Sequence, residues 1–191
     1  MPTTRAAPSS ARRAELLELA YAHVLEHGLA GMSLRPLGDA IGSSAGVLLF
    51  CFDSKEGLVR ALLARARDDE LLLLAECAAA DEDIAGVAAR SWTWLVAPEH
   101  EGLLRLWVEA YGQSLVDPDG PWGGFARQTV DDWLELLANA QPPRRRRTRA
   151  GRTERSLVLA VLRGALLDLL ATGARDRATD AVDALVDSLP G

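Results

Sequence analysis

The stretch SLRPLGDAIGSSAGVLLFCF, Ser33 to Phe52, decides the fold. Its spacing predicts two short helices, Leu34 to Ile41 and Ser44 to Phe52, meeting at Gly42-Ser43. Ser33 stands where the first would be capped, and Pro36 falls in its first turn, where the missing N–H costs nothing. A junction this short keeps the two helices from lying antiparallel, so they must cross steeply. Leu37 and Ile41 can then pack on Leu48 and Phe52. Beneath them runs an earlier helix, Ala14 to His27, whose stripe is Leu16, Leu17, Ala20, Tyr21, Val24 and Leu25. The opposite face of the second short helix is left outward, at a size that fits the DNA major groove. Spacing alone leaves a plain helical hairpin open beside a DNA-reading helix-turn-helix.

Outward from this segment the periodicity stays helical. Asp53 or Ser54 caps a long helix reaching about Ala80, with Glu56 placed to complete a capping box with Asp53. Five more helices are expected, at 82–97, 99–116, 122–140, 153–174 and 176–188. Pro98, the run Asp117 to Pro121, and Pro142-Pro143 separate them. No repeat and no alternating run suggests a sheet.

Composition sets outer bounds. Hydrophobic residues at 49% with 25% charged describe an ordinary globular chain, not a disordered one. The opening MPTTRAAPSS has no apolar segment and is not a secretory signal. Leu157 to Leu170, broken by Arg163 and Asp168, is too short to span a bilayer. Cys51 and Cys77 form neither a disulfide framework nor a zinc pattern, so both are expected reduced and buried. These features imply a cytoplasmic protein without a membrane partner. The net charge of -6 argues mildly against nucleic acid, and residues 1–56 carry five basic against six acidic groups. Arg5, Arg12 and Arg13 nevertheless cluster ahead of the first helix as a possible basic arm.

The order of residues is more specific than the spacing. A helix ends in His27-Gly28, then come Leu29 to Arg35, Leu37-Gly38, Ile41-Gly42, Gly46-Val47-Leu48, Phe52, and Ser54-Lys55-Glu56-Gly57-Leu58. Together these closely resemble the tetracycline-repressor (TetR) family of bacterial regulators, without a gap from residue 13 to about 63. The resemblance implies an all-α fold of about nine helices. A three-helix DNA-binding head with its helix-turn-helix would occupy residues 1–53, and a helical ligand-binding and dimerisation domain residues 54–191. Ser33 and Arg35 would reach a phosphate or a base edge. Ser44, Ala45, Gly46 and Val47 would open the recognition helix against the bases, with Leu49 and Cys51 further along it. Lys55 would hold a backbone phosphate. Where the family often has Tyr, and a second Tyr or His, this chain has Leu49 and Cys51, and Ala45 stands where Lys or Gln is common. Ala45, Val47 and Leu49 can meet thymine methyls but cannot pair with guanine or adenine edges. Base readout is therefore expected to be shallow, leaning on Arg35, Ser44, the arginine arm and DNA shape.

The remaining helices carry two further expectations. Leu159, Leu162, Leu166 and Leu170 of the helix 153–174, with Val182, Leu185 and Val186 of the last helix, make apolar bands wide enough for a two-fold interface. The resemblance implies the same homodimer, which would set two heads about 34–36 Å apart on successive major-groove faces. Trp92, Trp107, Tyr111 and Trp133 on the middle helices could line a cavity for an uncharged, apolar or aromatic small molecule. The implied partners are thus an operator duplex, such an effector and a second copy. Effector binding would favour a head spacing that no longer fits the operator.

Lookalikes were weighed against this reading. His23-Val-Leu-Glu-His27 matches a zinc-protease pattern, but no third ligand stands at a convincing position, so no metal is expected. Arg144 to Arg147, with Arg149 and Arg152, read as a solvated, mobile loop, with an extra nucleic-acid contact as the alternative. No nucleophile triad, phosphate loop or dinucleotide fingerprint occurs, so neither catalysis nor a cofactor is expected. The rival reading is a helical small-molecule-binding or interaction protein whose head has lost its grip on DNA.

Overall fold

The computed structural model describes residues 10–78 and 83–189, and every regular element within them is a helix. In chain order these are α1 (Ser10–His27), α2 (Leu34–Ala40), α3 (Ala45–Phe52), α4 (Lys55–Ala78) and α5 (Ile84–Leu95). A single 3-10 turn (Pro98–His100) leads into α6 (Glu101–Val116), α7 (Phe125–Asn139), α8 (Pro143–Arg146), α9 (Arg149–Thr172) and α10 (Arg175–Ser188). The expected helices are all present, and α8 is added to them. The ends expected at Ala80 and at residue 82 lie outside the described residues.

The helix starts follow from local capping chemistry. Ser44 Oγ accepts the Val47 N–H at 3.3 Å, and Asp83 accepts that of Gly86 at 2.9 Å. At α4 the cap is Ser54, whose Oγ accepts the Gly57 N–H at 2.9 Å. The capping box expected between Asp53 and Glu56 does not form. Asp53 takes a positive φ of 67°, and Glu56 turns to its own amide and the Ser54 hydroxyl, which hold its carboxyl below the usual range.

By backbone proximity the chain divides into two compact units. One comprises residues up to Asp68 together with Arg105–Ala126. Its core is built from Leu16, Ala20, Tyr21 and Val24 of α1, Leu37 of α2, Leu48 and Phe52 of α3, and Leu58 and Leu62 of α4. The other unit comprises Asp69–Leu104 and the chain from Arg127 onward, in which α10 packs on α9 and α5, and α5 on α9.

This packing corrects the expected dimer band. Leu159, Leu162, Leu166, Val182 and Leu185 are buried within the chain itself, because α9 and α10 spend their widest apolar stripes on each other and on α5. Leu170 and Val186 are half-buried. The outward face of α9 is a different set: Leu157 (49% exposed), Ala160, Gly164 and Leu167 (52% exposed).

The arginine-rich segment is also not the loop its composition suggests. Pro143 opens α8, and Thr148 Oγ1 caps α9 by accepting the Gly151 N–H at 3.0 Å. Buried Gln141 donates to the Gly151 carbonyl at 3.0 Å and to Glu154. Arg145 clasps Glu154 through two parallel bonds, at 3.0 and 2.9 Å. A Cβ at residue 151 would stand 2.2 Å from the Arg145 carbonyl oxygen, so only glycine permits this turn. The charge run caught the eye in the sequence, while the cap and the buried pair that order it did not.

The paired Arg145 guanidinium, aided by Gln141, holds the Glu154 carboxyl below its usual range. A carboxyl depressed on folding contributes stability above its unfolded pKa, about 4.3, and loses it as pH falls through the lower folded value. The urea midpoint of Glu154→Gln should therefore lie below the parent's at neutral pH, the gap narrowing below about pH 4.3 and closing at the lower folded value. A gap that stays constant down to that pH would contradict the role given to the Arg145 pair.

Candidate DNA interface

The crossing of α2 and α3 is set by one close approach. A Cβ built on Gly38 would stand 2.8 Å from the Ser44 carbonyl carbon, 2.9 Å from its Cα and 3.0 Å from the Ala45 nitrogen. The Gly38 carbonyl accepts the Ser43 N–H at 2.8 Å, and Gly42 supplies the left-handed φ of 66° that the turn needs. α3 is thereby laid across α2 with Leu48, Cys51 and Phe52 buried beneath it. Ser44, Gly46 and Leu49 are exposed on its other side, with Ala45 and Val47 half-buried.

Cys51 is only 7% exposed, so this thiol belongs to the core and is not on the outward face expected for it. Its place follows from spacing: three residues after Leu48, it shares that residue's inward direction. Ser33 and Arg35, at the start of α2, and Lys55, at the start of α4, are exposed. Arg35 and Lys55 form no salt bridge with any described residue, so both cations are open to an anion. The exposed side of α3 carries no charged side chain, and Arg35 and Lys55 are exposed at the starts of the helices before and after it.

The basic arm is largely spent. Arg12 pairs with Glu15 at 2.7 Å within α1. Arg13 donates to the Cys51 carbonyl at 3.2 Å and lies over the Phe52 ring, 4.8 Å from its centroid. Arg13 thus ties α1 to the end of α3. Arg5 lies outside the described residues.

The four expected effector residues do not fall in one unit: Trp107 and Tyr111 belong to the first, Trp92 and Trp133 to the second. Trp92 is buried, and its indole N–H donates to Thr179 at 3.1 Å. Trp133 is buried, and its N–H donates to Glu70 at 3.0 Å, with Thr129 donating to the other carboxylate oxygen at 3.3 Å. Trp107 is buried and Tyr111 half-buried. The sequence reading missed Glu70, although the signal was there. It lies on the stripe Leu62, Ala66, Leu73, Cys77 of α4, a carboxylate at a core position. Glu109 of α6 was also missed; it accepts the Leu29 N–H at 2.9 Å and holds the turn after α1. Only the fold brings those residues together. His23 and His27 stack with ring centroids 4.2 Å apart, and among the described residues no group of three metal-binding side chains forms. No described helix is long and apolar enough to cross a membrane.

A helical protein presenting a helix-turn-helix is what this geometry defines, and known proteins place it further. No family model matches the chain. The HTH-type transcriptional repressor AcnR of Corynebacterium diphtheriae is 32% identical over 139 residues, 72% of this chain and 69% of that protein. The HTH-type transcriptional repressor KstR2 of Rhodococcus jostii is 38% identical over 68 residues, a match spanning 36% of this chain and 33% of that one. Among solved structures, one assigned to the TetR-family transcriptional regulators, from Rhodococcus sp., superposes with a TM-score of 0.72 at 18% identity, covering 93% of this chain and all of that one. The multidrug binding protein EbrR, complexed with imidazole, superposes with a TM-score of 0.71 at 23% identity, covering 96% and 92%. The chain belongs to the TetR family of helix-turn-helix transcriptional regulators.

Gly38→Ala tests the crossing directly, because the new methyl meets backbone that cannot rotate away. Overpacking of this kind costs about 1–3 kcal/mol and should splay α2 from α3. The expected readings are a lower urea midpoint and a loss of DNA binding larger than the loss of stability accounts for. Gly112→Ala, a helical position where an added Cβ meets nothing within 4 Å, controls for lost glycine freedom. Parent-like DNA binding by Gly38→Ala would show that the crossing angle is not what presents α3.

Proposed function

We propose that this chain is a ligand-responsive repressor that binds an operator duplex as a homodimer, in the cytoplasm, and is released by a small molecule. The observation that carries the reading is the exposed, uncharged face of α3, with the unpaired cations Arg35 and Lys55 exposed at the starts of α2 and α4. Phosphate contacts from those two residues position the rod, and Ser44, Gly46, Val47 and Leu49 meet the base edges. With Arg12 and Arg13 engaged inside the head, readout rests on fewer cations than the sequence offered, and on methyl contacts and DNA shape. The functional division is taken at residues 53 and 54, head before and body after.

The body is read as the effector and dimer domain. EbrR, a neighbour in fold, has been seen with imidazole and with proflavin. Flat, aromatic molecules of that class suit the tryptophans of α5 and α7, which lie in one unit. The second copy is assigned to the outward face of α9, Leu157, Ala160, Gly164 and Leu167. Gly164 supports this. Glycine in a helix interior costs roughly 0.5–1 kcal/mol against alanine, and nothing in the chain lies within 4 Å of its missing Cβ. Its use there is the close approach of another backbone. A weakened head remains the second reading, because no side chain of α3 carries a charge.

Gel-shift titration with the DNA upstream of the protein's own coding sequence separates the two. A repressor binds it with Kd of about 10⁻⁸ M or tighter at physiological salt. Lys55→Ala should weaken all duplexes alike and flatten the salt slope by about one unit. Arg35→Ala should cost more and relax sequence preference. If both variants bind as the parent does, the assigned docking face is wrong.

A further inference from the structure

We propose that the homodimer is held in register by charge. The arginines at the start of α9 in one copy, Arg149 and Arg152, would sit against the aspartates at the end of α10 in the other, Asp183 and Asp187. The proposal rests on the homodimer reading and adds the chemistry that orients it.

Two unbalanced groups of opposite sign stand on the same compact unit. Residues 144–155 hold seven arginines against one acid in a chain whose net charge is -6. Four of the seven are engaged within the turn: Arg145 on Glu154, Arg146 on the Asn139 carbonyl, Arg152 on the Arg147 carbonyl, and Arg155 on Gln141 and the Arg146 carbonyl. Arg144, Arg147, Arg149 and Arg152 are exposed, and none forms a salt bridge with a described residue. The turn beneath them is ordered, so these cations are presented on a fixed platform and not on a floppy loop.

The opposite charge lies on α10. Asp176, Asp180, Asp183 and Asp187 are spaced by four, three and four residues, which lines them along one helix face. All four are exposed, and none forms a salt bridge with a described residue. The chain satisfies its other α9–α10 charge pair internally, Arg177 on Asp168 at 2.6 and 2.9 Å. The leftover charges are therefore not a general failure to pair. They are complementary groups that form no ion pair with each other within one copy.

Level fixes who can meet whom. α9 and α10 pack on each other across the Gly173-Ala174 link, so they run in opposite directions. One groove is lined by Arg149, Thr153 and Leu157 of α9 together with Ser188 and Leu189, which puts the start of α9 beside the end of α10. Were the two-fold axis to run along these helices, each level would lie opposite the same level of the partner. Arg149 and Arg152 then come opposite the partner's end of α10, and by symmetry the contact is made twice. The apolar face of α9 supplies adhesion, and the ion pairs, weak singly, exclude other registers.

Sedimentation equilibrium of the full chain at 50 mM and 1 M NaCl tests this. The Debye length shrinks from about 14 Å to about 3 Å between those salts, so the dimer Kd should rise about tenfold or more. Arg149→Glu with Arg152→Glu should weaken the dimer similarly at low salt only. Adding Asp183→Arg and Asp187→Arg to that variant should restore it. Far-UV circular dichroism and melting confirm that each variant, altered only at exposed positions, stays folded. A parent dimer indifferent to salt, with reversal variants equally tight, overturns the charge register and leaves the homodimer intact. A parent that is monomeric at both salts overturns the homodimer reading itself. Reversal variants that dimerise normally but lose affinity for duplex DNA assign the arginines to nucleic acid and overturn the proposal.

Discussion

Everything the head can do depends on the absence of one methyl group. At Gly38 the backbones of α2 and α3 approach so closely that a Cβ would stand within 3.0 Å of three backbone atoms. That approach fixes how α3 lies on α2, and this decides which side of α3 is core and which is outward. Leu48, Cys51 and Phe52 go down; Ser44, Gly46 and Leu49 stay up. Gly42 makes the turn possible, Arg13 pins the far end of α3 through the Cys51 carbonyl, and Glu109 holds the turn after α1. A short helix of eight residues has little stability of its own, so its orientation is imposed by these neighbours.

Charge in this molecule is spent unevenly, and the pattern has a physical logic. The head keeps Arg35 and Lys55 open where phosphates would sit and commits Arg12 and Arg13 to internal contacts. In the second unit, four arginines and a buried glutamate order the turn before α9. Glu70 shows the reverse arrangement, a carboxylate kept out of water by donors from Trp133 and Thr129. Buried carboxylates need such donors, because an unsatisfied one costs more than the bond returns. Glu70 and Glu154 are the carboxylates buried in the described core of the second unit.

Much of this was legible in the residue order. The helix-turn-helix came from Gly42, the inward leucines and the run Ser54 to Leu58, because local spacing and turn chemistry carry that information. Cys51 was misjudged through a family position, although its distance from Leu48 already pointed inward. The dimer leucines were misjudged because periodicity shows that a face is apolar and not what covers it. Leu159, Leu162 and Leu166 satisfy α10 and α5 of their own chain. Arg13, Glu109 and the clasp of Arg145 on Glu154 depend on contacts across the fold or a hidden cap, which composition does not express.

The central claim is that the outward side of α3 enters a groove of duplex DNA, once for each copy in a symmetric pair. Chemical footprinting on the operator, with methylation interference at guanine N7, reads this most directly because N7 faces only the major groove. The account predicts two interfering clusters on one face of the duplex, about 34–36 Å apart or a multiple of that distance. A single cluster, or protection confined to the minor groove, would contradict it.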